Sequence, residues 1–256
     1  YYSRNINFYA WIDVEGKYYN YWEVQEILKK SHILLLGAGG TGSSCARSLA
    51  RMGVGEITIV DYDTIELSNL NRQEYIYENI GDSKIQSINK HLKDINPFIK
   101  INPYEKEINS IDDLDSIDNS YDLVILSIDQ PANIYEVIEE YAERKGIPWV
   151  LGGYASTIIT RAIYYPGDTK HSDIVNSSID EHYEARQIQE NDHWKWENAI
   201  LSPVAQIAGN LSALYAFYYL TKLQNIEGSV IDHLDLFNIQ NSDFTYTIKK
   251  GNLSSC

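Results

Sequence analysis

Short, continuous apolar runs alternate along the chain with segments whose apolar residues recur every three or four positions. Residues 33–36 (ILLL), 57–60 (ITIV) and 123–126 (LVIL) are runs of the first kind, the pattern of strands buried on both faces of a sheet. Residues 99–102, 147–151 and 157–164 read as further strands. Helical spacing marks residues 43–52, the set Ile85, Ile88, Leu92 and Ile95 ahead of Pro97, and the set Ile134, Val137, Ile138 and Tyr141 ahead of Gly146. Strands alternating with crossover helices predict an α/β fold with a doubly wound, mostly parallel sheet of Rossmann-like type.

Either side of this region the pattern differs. Residues 1–30 read as an N-terminal arm followed by a helix over residues 21–30, carrying Trp22, Val24, Ile27 and Leu28. Beyond Pro166 the periodicity fades, and residues 167–199, with His171, His182 and His193, read as a long crossover loop. Pro203 then opens an apolar helix that runs to about Leu223. Its Leu211, Leu214, Tyr215, Phe217 and Tyr218 lie on more than one face, which suits either the core or a dimer interface. Residues 231–239 and 244–248 read as a closing antiparallel hairpin. The expected division is therefore an arm and helix (1–30), a nucleotide-binding domain (31–166), and a loop, helix and strand extension of that same domain (167–256).

Acidic residues outnumber basic ones by 36 to 21 among 256, a net charge of -15. Such a field repels nucleic acid and anionic lipid, so neither is an expected partner. An anionic ligand must be met by a local group of donors and cations. Two cysteines, Cys45 and Cys256, are too few for a disulfide framework or a four-thiolate zinc site and point to a reducing, cytoplasmic setting. No apolar run approaches the roughly 18 residues of a membrane span, and none at the start reads as a signal peptide. Tyr1 in place of Met leaves room for residues upstream.

Chemistry concentrates at the ends of the strands. Gly37, Gly39, Gly40 and Gly42 form a G-x-G-G-x-G turn between the first strand and a helix. There, glycine lets backbone approach a phosphate, and the helix start offers unpaired N–H groups. Asp61 closes the next strand, about 20 residues on, where a ribose-binding carboxylate belongs. Asp63, Asn69, Arg72 and Gln73 follow closely; Arg72 can fork onto phosphate oxygens and the amides can donate. Lys84 opens a helix, where a cation opposes the dipole unless an anion is present. Asp129 follows the third strand and suits either a Mg²⁺ ion shared with phosphates or the N-cap of the next helix.

This set resembles the ThiF/MoeB (ubiquitin-activating-enzyme-like) adenylyltransferases. The likeness rests on the glycine turn, Asp61-Tyr62-Asp63, Ser68-Asn69-Leu70-Asn71-Arg72-Gln73, Lys84 and Asp129. It covers residues 31–165 most specifically and continues through Leu201-Ser202-Pro203-Val204. Tyr165-Pro166-Gly167 and the polar stretch after it are most similar to the microcin C type peptide nucleotidyltransferases of modified-peptide clusters. The resemblance implies a homodimer in which the C-terminal carboxylate of a peptide or small protein attacks the α-phosphate of a nucleoside triphosphate, ATP or CTP, with Mg²⁺ on Asp129. Arg4, in a stretch similar to the family's R-[QN]-I-x-F opening, would reach into the partner protomer's site. The product implied is an acyl-nucleotide, within antibiotic or other modified-peptide biosynthesis.

The departures from the family are also informative. Asp168-Thr169-Lys170-His171 stands where many members place the first zinc-binding C-x-x-C, so no zinc is expected. No cysteine falls in residues 167–199 to form a thioester, and Cys45 reads as a buried apolar residue. Two rivals remain: a catalytically silent relative that only binds a peptide, and a NAD-dependent dehydrogenase, which the Asn69–Gln73 cluster disfavours.

Overall fold

The apolar runs pair edge to edge. A computed structural model describes residues 1–117, 119–155, 157–175, 200–236 and 245–249. Strands β1 (His32–Leu36), β2 (Glu56–Val60), β3 (Lys100–Tyr104), β4 (Leu123–Leu126) and β5 (Trp149–Ala155) lie parallel. Antiparallel strands β6 (Ile158–Tyr164), β7 (Val230–Asp235) and β8 (Thr245–Lys249) extend them to eight in the order β3-β2-β1-β4-β5-β6-β7-β8. The expected mixed α/β sheet with an antiparallel extension is therefore present.

Both faces of the sheet are covered, which is why its strands read as unbroken apolar runs. Ile33 and Leu35 of β1 enter one core and Leu34 and Leu36 the other, in step with the two-residue period of a strand. Helices α1 (Ser3–Ile12), α2 (Trp22–Lys30), α3 (Gly40–Met52), α4 (Lys84–Ile95) and α8 (Ser202–Thr221) serve the first core. Helices α5 (Ile111–Asp115) and α6 (Ile134–Lys145) serve the second, and α7 (His171–Val175) lies beside α6. Each fully buried Leu or Ile contributes about 1.5–3 kcal/mol. Gly53 and Gly146 end α3 and α6 in left-handed conformations (φ 87° and 68°) that a side chain would strain.

Several elements differ from the sequence reading; His171–Val175, for one, is a short helix where a loop was expected. Residues 3–12 form a helix rather than an arm, because Tyr9 is buried against Phe217 (ring centroids 5.4 Å apart) and its hydroxyl donates to Gln25 Oε1 at 3.0 Å. The long helix packs into the core, but of the large residues that its pattern advertises only Phe217 is fully buried. Its buried stripe is mostly small: Ala205, Ala208, Gly209, Ser212, Ala213 and Ala216, joined by Phe217. A Cβ on Gly209 would stand 1.9 Å from Ser44 Oγ and 2.3 Å from the Thr41 carbonyl, so α8 meets α3 closely, with only the small Ser44 side chain at the contact. Among the described residues no helix is long and apolar enough to cross a membrane. His182, His193 and Cys256 lie outside the described residues.

Candidate functional site

The glycine turn fixes where the site can be. Gly37 has φ 100°, and a Cβ there would stand 2.7 Å from the Ser127 carbonyl. A Cβ on Gly42 would come within 2.0 Å of the Gly37 carbonyl, so both glycines serve the tight packing of helix on strand. Gly39 precedes α3, and no side chain caps that helix, leaving its first amides free for an acceptor. A Cβ on Gly39 would meet only Gln73 Nε2, at 3.9 Å. Gly40 differs: the space of its missing Cβ is taken by the Tyr154 hydroxyl at 3.1 Å, Ala205 at 3.2 Å and Arg72 Cγ at 3.5 Å. Glycine at 39 keeps an approach open, while at 40 it admits protein atoms.

Over this turn lies a cavity of about 570 Å³, at the carboxyl ends of β1, β2, β4 and β5. In this strand order that is the switch point, where doubly wound sheets bind ligands. Its lining includes Gly39, Gly40, Asp61, Asp63, Asn69, Arg72, Gln73, Lys84 and Asp129. Gly37 and Gly42 stand outside the lining, and Arg4 is exposed on α1, away from it. Within one chain Arg4 therefore does not join the group.

Lys84 is buried, and its Nζ lies 2.6 Å from Asp63 Oδ2. A carboxylate thus answers its charge at the start of α4, so phosphate is not needed to explain the placement. Asp61 is buried and accepts from the Ala38 amide at 2.7 Å and the Asp63 amide at 2.9 Å. Burial pushes its carboxyl up from the usual range, against the pull of Lys84 and those two amides. Asn69 accepts from the Glu66 amide at 3.1 Å and holds the 3₁₀ turn Leu67–Asn71, so its NH₂ is the group left to offer. Arg72 closes that turn, with Nη1 on the Ser68 carbonyl at 3.1 Å and Asn71 Oδ1 at 2.9 Å. Asp129 is not the cap of α6; Asn133 stands in that place.

Three buried atoms in the wall have no hydrogen-bond partner among the described residues: Arg72 Nε, Gln73 Oε1 and Ser127 Oγ. Each orphaned group costs about 1–3 kcal/mol, a cost that a polar ligand would relieve. The charged lining, two cations against three carboxylates, is one negative charge in excess. A polyphosphate would need further positive charge there.

The far wall escaped the sequence reading. Tyr135, Gly152, Gly153, Tyr154, Thr160, His171 and His233 line it, from α6, β5, β6, β7 and the start of α7. His171, read as part of a long loop, stacks on Tyr135 (4.5 Å between centroids) with its Nδ1 2.9 Å from the Tyr164 hydroxyl. Burial lowers its pKa to about 4, so it is neutral at pH 7. Thr160 Oγ1 lies 2.9 Å from His233 Nδ1. Cys45 is buried and its thiol is pushed far up by desolvation, as its place inside α3 suggested.

The ThiF family model matches residues 2–254. Among curated relatives, "Adenylyltransferase and sulfurtransferase MOCS3" of Dictyostelium discoideum is 30% identical over 91% of this chain and 52% of its own length. "Adenylyltransferase and sulfurtransferase UBA4" of Lodderomyces elongisporus is 41% identical over 43% of this chain and 24% of its own. The chain thus spans about half the length or less of these relatives. Among solved structures, E. coli MccB with ATP superposes with a TM-score of 0.79 at 25% identity, over 97% of this chain and 70% of that one. E. coli MccB with MccA gives 0.78 at 25% identity over the same shares.

Proposed function

The chain belongs to the ThiF family, and on that premise we propose that it is an adenylyltransferase that activates the C-terminal carboxylate of a peptide or small protein. One observation carries the reading: Arg72, Lys84, Asn69, Gln73 and Asp129 share one cavity with the glycine turn, and Arg72 Nε, Gln73 Oε1 and Ser127 Oγ in its wall lack partners among the described residues. Relatives named adenylyltransferases and an MccB neighbour holding ATP support ATP as the nucleotide. Nothing favours CTP.

In this reading Asp61 holds the ribose hydroxyls, and the amides at the start of α3 receive phosphate oxygens. Arg72 and Lys84 neutralise the polyphosphate, Lys84 turning from Asp63 to do so. An acceptor carboxylate oxygen attacks the α-phosphorus, the bond to the bridging oxygen of the β-phosphate breaks, and pyrophosphate leaves with the electron pair. The nucleophile is ionised at neutral pH, so no side chain need take a proton. Positioning and charge neutralisation supply the rate.

The excess negative charge of the lining and the uncapped, exposed Asp129 fit a divalent cation. Among the described residues no three acidic, His or Cys side chains gather to hold a metal. A Mg²⁺ ion would therefore rest on Asp129 and phosphate oxygens and supply charge neutralisation. A homodimer in which Arg4 adds a further cation to the partner's site belongs to the same proposal.

The acceptor has two readings. MccB neighbours bound to the MccA peptide favour a peptide, as in modified-peptide biosynthesis. The relatives' second name, sulfurtransferase, favours a small carrier protein. The test is exchange of labelled pyrophosphate into ATP, with Mg²⁺ and candidate acceptors. Exchange that requires a free acceptor C-terminus and vanishes on amidation is expected. Tight acceptor binding without exchange would leave the silent binding protein in its place.

A further inference from the structure

Tyr154 is absorbed by nothing above. It stands near the end of β5, half-buried, and its ring reaches back over the glycine turn. Its hydroxyl lies 3.1 Å from the Cβ position of Gly40, beside Arg72 Cγ at 3.5 Å from the same point. That hydroxyl makes no hydrogen bond among the described residues, although the Tyr75 hydroxyl behind the same turn donates to the Ala38 carbonyl at 2.7 Å. A phenol held without a partner beside an orphaned Arg72 Nε and the uncapped start of α3 is a donor awaiting an anion.

The geometry of the turn says which anion. Asp61, the ribose carboxylate of the proposed function, accepts from the Ala38 amide at 2.7 Å, and Gly40 is two residues further on. Two residues reach about 7 Å at most, the scale of a ribose and the phosphate bonded to it. The β- and γ-phosphates must lie beyond this. We propose that the Tyr154 hydroxyl donates to a non-bridging oxygen of the α-phosphate, the atom group that the acceptor attacks, and so acts as a catalytic residue supplied by β5. A fixed donor there orients the α-phosphate for in-line attack and stabilises the charge on its oxygens from the bound nucleotide onward. Gly40 is glycine, in this account, because a Cβ would push Tyr154 and Arg72 away from the turn.

This rests on the adenylyltransferase reading, so the test is chosen to separate the two. Dissociation constants for adenosine, AMP, ADP and ATP are measured in Mg²⁺, by displacement of a fluorescent ATP analogue, for the wild-type chain and Tyr154→Phe. The variant keeps the ring and loses only the hydroxyl. Expected are unchanged adenosine binding and a weakening of about tenfold that is already complete with AMP and no larger with ADP or ATP. A purely structural role would weaken adenosine equally and overturns the proposal. So does a loss that begins only with ADP or ATP, or no loss at all. Failure of wild type to bind ATP would sink the adenylyltransferase reading as well. Wild-type ATP binding with an unaffected variant sinks this proposal alone.

Discussion

At the amino end of the parallel strands polar side chains close on one another, whereas at the carboxyl end only some of them do, Lys84 on Asp63 among these. His32 Nε2 lies 2.9 Å from Thr58 Oγ1. Glu56 accepts from Lys100 at 2.8 Å and Asn102 at 2.7 Å, and Asp122 accepts the His32 amide at 2.8 Å. Burial opposes the Glu56 charge, yet the bonds from Lys100 and Asn102 hold its carboxyl below the usual range. At the other end burial wins, and Asp61 is pushed up. There Arg72 Nε, Gln73 Oε1 and Ser127 Oγ stay unpartnered among the described residues, and Asn133 rather than Asp129 stands at the cap of α6. One edge uses its polar groups to hold strands together; the other keeps them for a ligand.

Substitutions at the two edges should therefore have opposite signatures. The largest effect is expected from Asp129→Ala: pyrophosphate exchange falls by about a thousandfold, with thermal unfolding unchanged. Retained exchange at saturating Mg²⁺ would remove the metal role. Arg72→Ala should cut exchange about a hundredfold and leave stability within about 0.5 kcal/mol, as its hydrogen bonds to the Ser68 carbonyl and Asn71 are exposed. Glu56→Ala should do the reverse, losing about 1 kcal/mol in denaturant unfolding with exchange intact. Equal stability losses at the two positions would erase the contrast.

The far wall supplies a pH effect. The folded-state pKa of His171 is about 4, below its ordinary 6.5. Its contribution is complete above pH 6.5 and lost as the pH falls toward 4, because the unfolded chain takes up the proton first. Denaturant unfolding should show about 2 kcal/mol lost at pH 5 on its account. His171→Gln should flatten that slope, and an unaltered slope would contradict the burial. Smallest is the shared-site effect: mixing Arg4→Ala and Asp129→Ala chains should restore about a quarter of wild-type exchange if each site takes Arg4 from its partner in a symmetric dimer. No recovery in mixed dimers would remove the trans role.

What could be read from sequence follows the same division. Gly39, Asp61, Lys84 and Asp129 were legible because each sits just beyond a strand or at a helix start that local pattern marks, and Arg72 because it stands in the polar run that follows β2. Tyr154, Thr160, His171 and His233 were not. Tyr154 reaches the cavity from β5, and the others because β6 and β7 fold back antiparallel on that strand, a register that no local signal carries. Helix α1 hid because Tyr9 is its one fully buried residue. In α8, small residues pack against α3 and β5, whereas the large ones drew attention to its half-buried faces.

The most direct measurement follows the label. ATP carrying ³²P at the α position, and separately at the γ position, is incubated with Mg²⁺, the protein and an acceptor with a free C-terminus. The account predicts α-label on the acceptor as an acyl-adenylate that hydroxylamine releases, with γ-label found only in pyrophosphate. Transfer of γ-label to the acceptor, or α-label that never leaves the nucleotide pool across peptide and small-protein acceptors, would contradict it.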